Sequence, residues 1–111
     1  MESTRQEKIS KLLQRDLGEI FQREAQLQAP GKLITVTIVR ISPDLGIAKV
    51  FLSIFPPKDA QKVVDLINDN KSFYRNLLAK KVRHQLRVIP NLHFYMDDSE
   101  EYVRNIDNLL K

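Results

Sequence analysis

The chain of 111 residues contains no cysteine and no tryptophan, and only three glycines. Without cysteine it has no disulfide, no thiolate nucleophile, no cysteine-ligated zinc and no iron–sulfur cluster, as is typical of proteins from a reducing compartment. Its uninterrupted apolar runs are far shorter than the roughly 20 residues that cross a bilayer. Residues 1–7 lack the apolar segment of a secretory signal and include acidic residues, which mitochondrial leaders avoid. We therefore expect one cytoplasmic domain over residues 1–111, with no membrane contact.

Residues that carry catalysis or hold metals are sparse in this chain. His84 and His93 fall in different predicted elements, and we interpret both as solvent-facing or phosphate-contacting. The glycines are too dispersed to form a phosphate-cradling loop or a dinucleotide fingerprint. Asp97 and Asp98 can either bind a divalent cation or cap a following helix, and the cap accounts for both more simply. We expect no catalytic residues, no cofactor, no metal and no small-molecule substrate.

Local patterns predict secondary elements in the order α-β-β-α-α-β-α. A first helix follows the capping-box pattern of Thr4 and Glu7. β-Branched residues over 34–41 and alternating residues over 47–55 predict two strands of an antiparallel hairpin. The turn between them contains Gly46, for which we expect a positive φ.

The second half of the chain predicts two helices, a strand and a last helix. Asp59 is the expected N-cap of a short helix, and Ser72 that of a longer helix over residues 73–87. Alternating apolar residues over 92–96 predict a third strand, and a last helix follows it. The prediction is therefore an α+β domain in which helices cover a three-stranded sheet.

The positive charge of the chain is concentrated in one segment. The formal net charge is +4, and residues 71–88 contain basic residues but not one carboxylate. These basic residues are Lys71, Arg75, Lys80, Lys81, Arg83 and Arg87. Such an asymmetry points to a polyanionic partner, of which nucleic acid is the commonest.

Two sets of basic residues recur at positions i, i+3 and i+7, so each set shares one helix face. On the helix predicted over 73–87 they are Lys80, Arg83 and Arg87; on the first helix they are Lys8, Lys11 and Arg15. Either face can bind phosphates or simply be solvated. The nucleic-acid interpretation is favoured for the later helix, whereas acidic residues on the first helix leave both interpretations open. With Lys71 and Lys81 added, these residues are the candidate RNA contacts.

Three further residues on these elements are candidates for a structural or a binding role. Arg75 lies with the apolar stripe of its helix, so we expect a structural role in which its guanidinium bridges to a carboxylate such as Asp97 or Asp98. Phe51 and Phe55 can be base-stacking platforms on the sheet or part of the core. We favour the core, because four helices must cover some sheet surface.

Several segments of the chain, in this order, resemble the ribosome-binding factor A family. They are Ser3-Thr4-Arg5, residues 38–45, residues 48–53, Phe73-x-Arg75-x-x-Leu78, Leu86-Arg87-x-x-Pro90-x-Leu92-x-Phe94 and Asp97-x-Ser99. No single segment is diagnostic, but the ordered set covers nearly the whole chain. The resemblance implies a KH-like fold of type II, with the order αββααβ, followed by a C-terminal helix.

The resemblance also implies a function. Members of this family are bacterial cytosolic factors that bind the immature small (30S) ribosomal subunit and its 16S rRNA, assist late maturation and rRNA processing, and are often important in the cold. KH domains grip RNA with a Gly-x-x-Gly loop, and this family usually ends a small-residue kink there with Gly, whereas this chain reads Asn70-Lys71-Ser72. We therefore expect RNA to be held by basic helical faces.

Two alternatives come from other functional classes. A protein–protein adaptor would pair a partner strand with the exposed edge of the hairpin. An RNA-processing hydrolase would need a catalytic constellation, and Asp97 and Asp98 are its best candidates. We favour a non-enzymatic RNA-binding factor and expect a monomer.

Overall fold

The computed structural model of the protein describes residues 3–97, apart from the side chains of residues 25–28. The elements in this range are α1 (Thr4–Gln28), β1 (Leu33–Ile41), β2 (Ile47–Phe55), α2 (Ala60–Asp69), α3 (Lys71–Val82) and β3 (Asn91–Met96). The order αββααβ confirms the predicted α+β, KH-like arrangement. The predicted last helix, with the cap assigned to Asp97 and the residues after it, lies outside the described residues.

The three strands form one sheet in the order β1-β2-β3. β1 and β2 are antiparallel, as the predicted hairpin requires, and β3 is parallel to β2. Because a parallel pair needs a long crossover connection, α2 and α3 lie between β2 and β3 in the chain. Alternate strand residues such as Val36, Val50 and Phe94 are buried beneath the helices.

The core is shared by α1, α3 and the sheet. Leu13 and Leu17 of α1 are fully buried, as the apolar periodicity of this helix predicts. Phe21 of α1 contacts Tyr74 of α3, with ring centroids 4.8 Å apart, and meets Phe94 of β3 edge-on at 5.7 Å. This aromatic cluster joins three elements in one hydrophobic core.

The N-terminal cap of α1 is one residue earlier than the pattern predicts. Ser3 Oγ accepts a hydrogen bond from the Gln6 backbone N–H at 3.2 Å, and Gln6 Oε1 accepts one from the Ser3 N–H at 2.9 Å. The cap assigned to Thr4 and Glu7 is therefore wrong. Gln6 Nε2 also donates to the Ile41 carbonyl at 2.8 Å, and a glutamate could not make this tertiary bond, which favours the Ser3 register.

The turn between β1 and β2 is built around Asp44. Its carboxylate accepts hydrogen bonds from Ser42 Oγ at 2.6 Å and from the Gly46 N–H at 3.0 Å, and these bonds lower the pKa of Asp44. The positive φ of 62° belongs to Leu45, so its assignment to Gly46 was wrong. A Cβ at position 46 would lie 3.3 Å from an Asp44 carboxylate oxygen, so a larger residue there would require the Asp44 side chain to shift slightly.

One residue separates α2 from α3. The Asn70 carbonyl accepts the N–H of Phe73 at 3.0 Å, while its own N–H donates to the Ile67 carbonyl at 3.0 Å, so Asn70 ends one helix and begins the next. The cap predicted at Ser72 is thus two residues late. Asp59 precedes α2 as predicted but makes no side-chain cap, because its left-handed backbone (φ 59°) turns the carboxylate away from the helix amides.

α3 ends at Val82, five residues before the predicted end at residue 87. The N–H groups of Gln85 and Leu86 both donate to the Val82 carbonyl, and the chain leaves the helix through this turn. Val82 is fully buried, whereas Leu86 is only half-buried. After α3 the chain must also run back to the sheet, because β3 begins beside β2. The local sequence of α3 does not indicate this requirement.

Helices cover only one face of the sheet among the described residues, and neither Phe51 nor Phe55 belongs to the buried core there. The fourth helix on which the core interpretation relied lies outside those residues. Phe55 is 67% exposed, and Phe51 is half-buried beside Tyr95, with ring centroids 5.5 Å apart. The reason is topological. α1, α2 and α3 all pack on the face that carries Val50 and Leu52.

Side chains from the helices bond to backbone groups of the two edge strands. Gln14 Nε2 donates to the Thr37 carbonyl of β1 at 3.0 Å. On β3, the Asn68 amide accepts the Phe94 N–H at 2.9 Å and donates to the Phe94 carbonyl at 2.8 Å. An added strand would have to displace these bonds, which disfavours the adaptor interpretation at these positions.

Candidate nucleic-acid interface

An ion pair links α1 and α3 at the surface. Lys81 Nζ lies 2.7 Å from Glu19 Oε2. The hydrogen bond and charge of Lys81 lower the pKa of Glu19, and the nearby Arg15 and Arg23 add to this effect. Lys81 is therefore the least available of the candidate RNA contacts, because a carboxylate already neutralises it.

The predicted basic stripe of α1 is present and exposed. Lys8, Lys11 and Arg15 are all exposed, and Arg15 Nε also contacts the buried Asp16 carboxylate at 3.2 Å. Glu19 lies four residues after Arg15, on the same helix face, so the stripe runs up to the ion pair with α3.

The C-terminal end of α3, which Lys81 links to α1, also carries exposed cations. Lys80 is in the last turn of α3, and Arg83 is the first residue after this helix. Both side chains are exposed. Arg23 is a further exposed cation near Glu19, and the sequence pattern missed it because it falls outside the i, i+3 and i+7 spacing. We name the following residues the α1/α3 basic surface: Lys8, Lys11, Arg15, Arg23, Lys80 and Arg83.

Arg87 does not share a helix face with Lys80, because α3 has ended before it. It is exposed and lines a cleft of about 510 Å³ together with Arg5, Asp44 and Val88. Arg5 was missed because it is far from Arg87 in sequence and only the fold joins the start of α1 to the segment after α3. The prediction that Arg87 shares a helix face with Lys80 and Arg83 is therefore wrong.

Lys71 lies at the opposite end of α3, about 14 Å along the helix from Lys80. It is exposed and lines a cleft of about 280 Å³ with Ser72, Arg75 and His93. His93 is half-buried there, whereas His84 is exposed beside Arg83. Lys71 thus belongs to a second, separate basic region.

Arg75 has a structural position, and its guanidinium bonds to backbone carbonyls. Of its two predicted carboxylate partners, Asp97 forms no ion pair with it among the described residues, and Asp98 lies outside them. Arg75 Nη2 donates to the Ile89 carbonyl at 2.8 Å and its Nε to the Pro90 carbonyl at 3.2 Å. The guanidinium therefore ties α3 to the segment that leads into β3. This pairing has no sequence signal, because a backbone carbonyl is available at every residue.

Two kinds of site are absent from the described part of the chain. Within residues 3–97, no three histidine, cysteine, aspartate or glutamate side chains cluster in a way that could hold a metal ion. No helix in the same range is both long enough and apolar enough to cross a membrane.

Comparison with known proteins identifies the family of the chain. The family model described as Ribosome-binding factor A matches residues 5–110. The chain belongs to the ribosome-binding factor A family. A relative of this name from Christiangramia forsetii is 46% identical over 111 residues, covering 99% of this chain and 85% of the relative. The ribosome-binding factor A of Flavobacterium psychrophilum is 42% identical with the same coverage.

Solved structures of ribosome-binding factor A share this fold. The crystal structure of the protein from Thermus thermophilus superposes with a TM-score of 0.66 at 25% identity, covering 82% of this chain and 94% of that one. A homology model of the Thermus thermophilus ribosome-binding factor A, fitted into the cryo-EM map of a 30S–RbfA complex, superposes with a TM-score of 0.62 at 26% identity. That match covers 78% of this chain and 88% of the other.

Proposed function

We propose that this protein binds the immature small ribosomal subunit and its 16S rRNA and assists late maturation and rRNA processing, without catalysing a reaction itself. The observation that carries this proposal is the family match over residues 5–110. The Thermus thermophilus relative placed in a 30S–RbfA complex supports the choice of the small subunit as partner. The protein acts as a cytoplasmic monomer and needs no cofactor.

The α1/α3 basic surface is the part of the molecule that holds rRNA. Its cations come from two helices that pack side by side, so together they span more phosphates than either helix alone. Such contacts position the protein on RNA but do not read sequence. Lys71 and Arg87, which lie in separate clefts, extend the contact beyond this surface. Binding holds a local rRNA arrangement until maturation permits release.

Gradient sedimentation of cell extract tests the choice of partner. We expect the protein to travel with free small subunits and not with assembled ribosomes. Migration mainly with large subunits, or with no ribosomal particle, would contradict the proposal.

Salt-dependent binding tests the surface. Each phosphate contact contributes a slope of roughly 0.7–0.9 to log K against log salt, so Lys80→Gln with Arg83→Gln should flatten the slope by about 1.5 and weaken binding to unrelated RNAs equally. The matched control is Lys58→Gln with Lys62→Gln, two exposed lysines away from this surface. Equal slopes for the two double variants would place the rRNA contacts elsewhere.

A further inference from the structure

The open face of the sheet carries an ordered row of apolar and aromatic side chains. Ile38, Phe51 and Tyr95 are register partners on the three neighbouring strands. Ile38 is 43% exposed and Tyr95 42%, and the rings of Phe51 and Tyr95 are stacked with centroids 5.5 Å apart and planes 29° apart. None of the described helices packs on this face, so the row has no role in the core.

A row of basic residues lies beside the aromatic row. Arg40 and Lys49 are register partners in the same way, two residues along each strand and on the same face. His93 is the next register partner on β3, where it is half-buried and also borders the cleft beside Lys71. At about 3.4 Å per residue, the two rows are roughly 7 Å apart. The three strands contain no aspartate or glutamate, so no carboxylate on a strand neutralises the row.

We propose that this open face binds unpaired RNA, with bases stacked on Phe51 and Tyr95 and phosphates held by Arg40 and Lys49. Aromatic rings stack on any base, and the adjacent cations attract the backbone that joins the bases. A duplex keeps its base faces inside the helix, so a single strand is the ligand that fits this arrangement. A partner protein with a purely apolar surface would leave Arg40 and Lys49 without an opposite charge to bind.

The proposal gives the protein two RNA contacts on opposite sides. The α1/α3 basic surface lies on the helix side of the sheet and holds phosphates of any RNA, while the open face selects unpaired segments. An assembly factor with both contacts can hold a structured rRNA region and a neighbouring single strand together. The test of this second site does not depend on the proposed function, because it uses isolated RNA and no ribosomal subunit.

The test uses fluorescence anisotropy with the full chain, an unstructured 10-nucleotide RNA and a blunt-ended RNA duplex, which has no unpaired bases. In the Phe51→Leu, Tyr95→Leu double variant the rings are lost while apolar volume is kept. We expect affinity for the single strand to fall about tenfold for each ring, while duplex binding and the salt slope stay unchanged. The matched control is Phe73→Leu, which removes a ring of 43% exposure from α3.

Two further variants keep the proposal falsifiable. Tyr95→Leu alone, at the more exposed ring, should lower single-strand affinity about tenfold even if the double variant unfolds. Arg40→Gln with Lys49→Gln should flatten the single-strand salt slope by about 1.4. If another part of this chain or a protein partner covers the face, wild type and the ring variants will bind the single strand equally. That result, in folded variants, would overturn the proposal.

Discussion

At the scale of single residues, charge alone did not indicate what a cation does. Lys80 and Arg75 belong to the same basic segment and the same helix, yet Lys80 is exposed while Arg75 donates two hydrogen bonds to the backbone before β3. The position of Arg75 beside the apolar stripe was the only local sign of this difference. A guanidinium suits the position, because its planar fork can reach two carbonyls at once.

Arg75→Ala should therefore destabilise the fold more than Lys80→Ala. Loss of the guanidinium leaves the Ile89 and Pro90 carbonyls without this donor, at a cost of about 1–3 kcal/mol, whereas an exposed lysine typically changes stability by about 0.5 kcal/mol or less. For a domain of this size the Arg75 variant should melt roughly 5–15 °C lower. Thermal denaturation followed by circular dichroism measures both. Similar melting temperatures for the two variants would show that the carbonyl bonds contribute little.

At the scale of elements, interiors were easier to predict than ends. The bounds of β2 agree with the pattern, because alternating burial specifies a strand along its whole length. The ends of α1 and α3 were shifted by tertiary contacts: Gln6 reaches the Ile41 carbonyl, and the chain after Val82 turns towards the sheet. A helix end is specified by few local interactions, so one such contact is enough to move it.

The cap of α1 gives a direct test at this scale. Ser3→Ala removes the oxygen that accepts the Gln6 N–H and should lower the free energy of unfolding by about 1 kcal/mol. Thr4→Ala should change it by a few tenths of a kcal/mol, because Thr4 is already within the helix. Urea denaturation of the two single variants gives both values. A larger loss for Thr4→Ala would restore the cap register that the Thr4 and Glu7 pattern predicts.

At the scale of the whole molecule, one aromatic cluster connects α1, α3 and β3. Tyr74 is fully buried at its centre, between Phe21 and Phe94. Burial, with a smaller contribution from Glu24, raises the pKa of Tyr74 to about 12. A charge on this ring would enter the core that all three elements share, so its ionisation is coupled to unfolding of the whole domain.

The sign of this coupling predicts a loss of stability at alkaline pH. The folded state keeps Tyr74 protonated, so its contribution is complete below the ordinary tyrosine pKa of about 10 and is lost as pH rises towards about 12. The urea midpoint of the wild type should fall more between about pH 9 and pH 11 than that of Tyr74→Phe. All other ionisable groups are the same in the two proteins and cancel in the comparison. If the urea midpoint falls equally in the two proteins, ionisation of Tyr74 is not the cause of the loss of stability at alkaline pH.

The amino-acid sequence by itself determined the class of the protein. Apolar periodicity, β-branched runs and turn residues are local, and they were enough for the element order, the hairpin and the α+β class. The ordered family segments, spread over nearly the whole chain, were enough for the family. The basic stripe of α1 was also predictable, because Lys8, Lys11 and Arg15 all lie on one uninterrupted helix.

Only the tertiary structure decided how these parts meet. It joined the stripe of α1 to the end of α3 through Glu19 and Lys81, and separated Arg87 from Lys80 by ending α3 early. It also left Phe51 on an open face, although an aromatic residue in a strand has the same local pattern whether a helix covers it or not. The physical reason is common to these cases: contacts between residues distant in the chain depend on how elements pack, and local propensity carries no information about that packing.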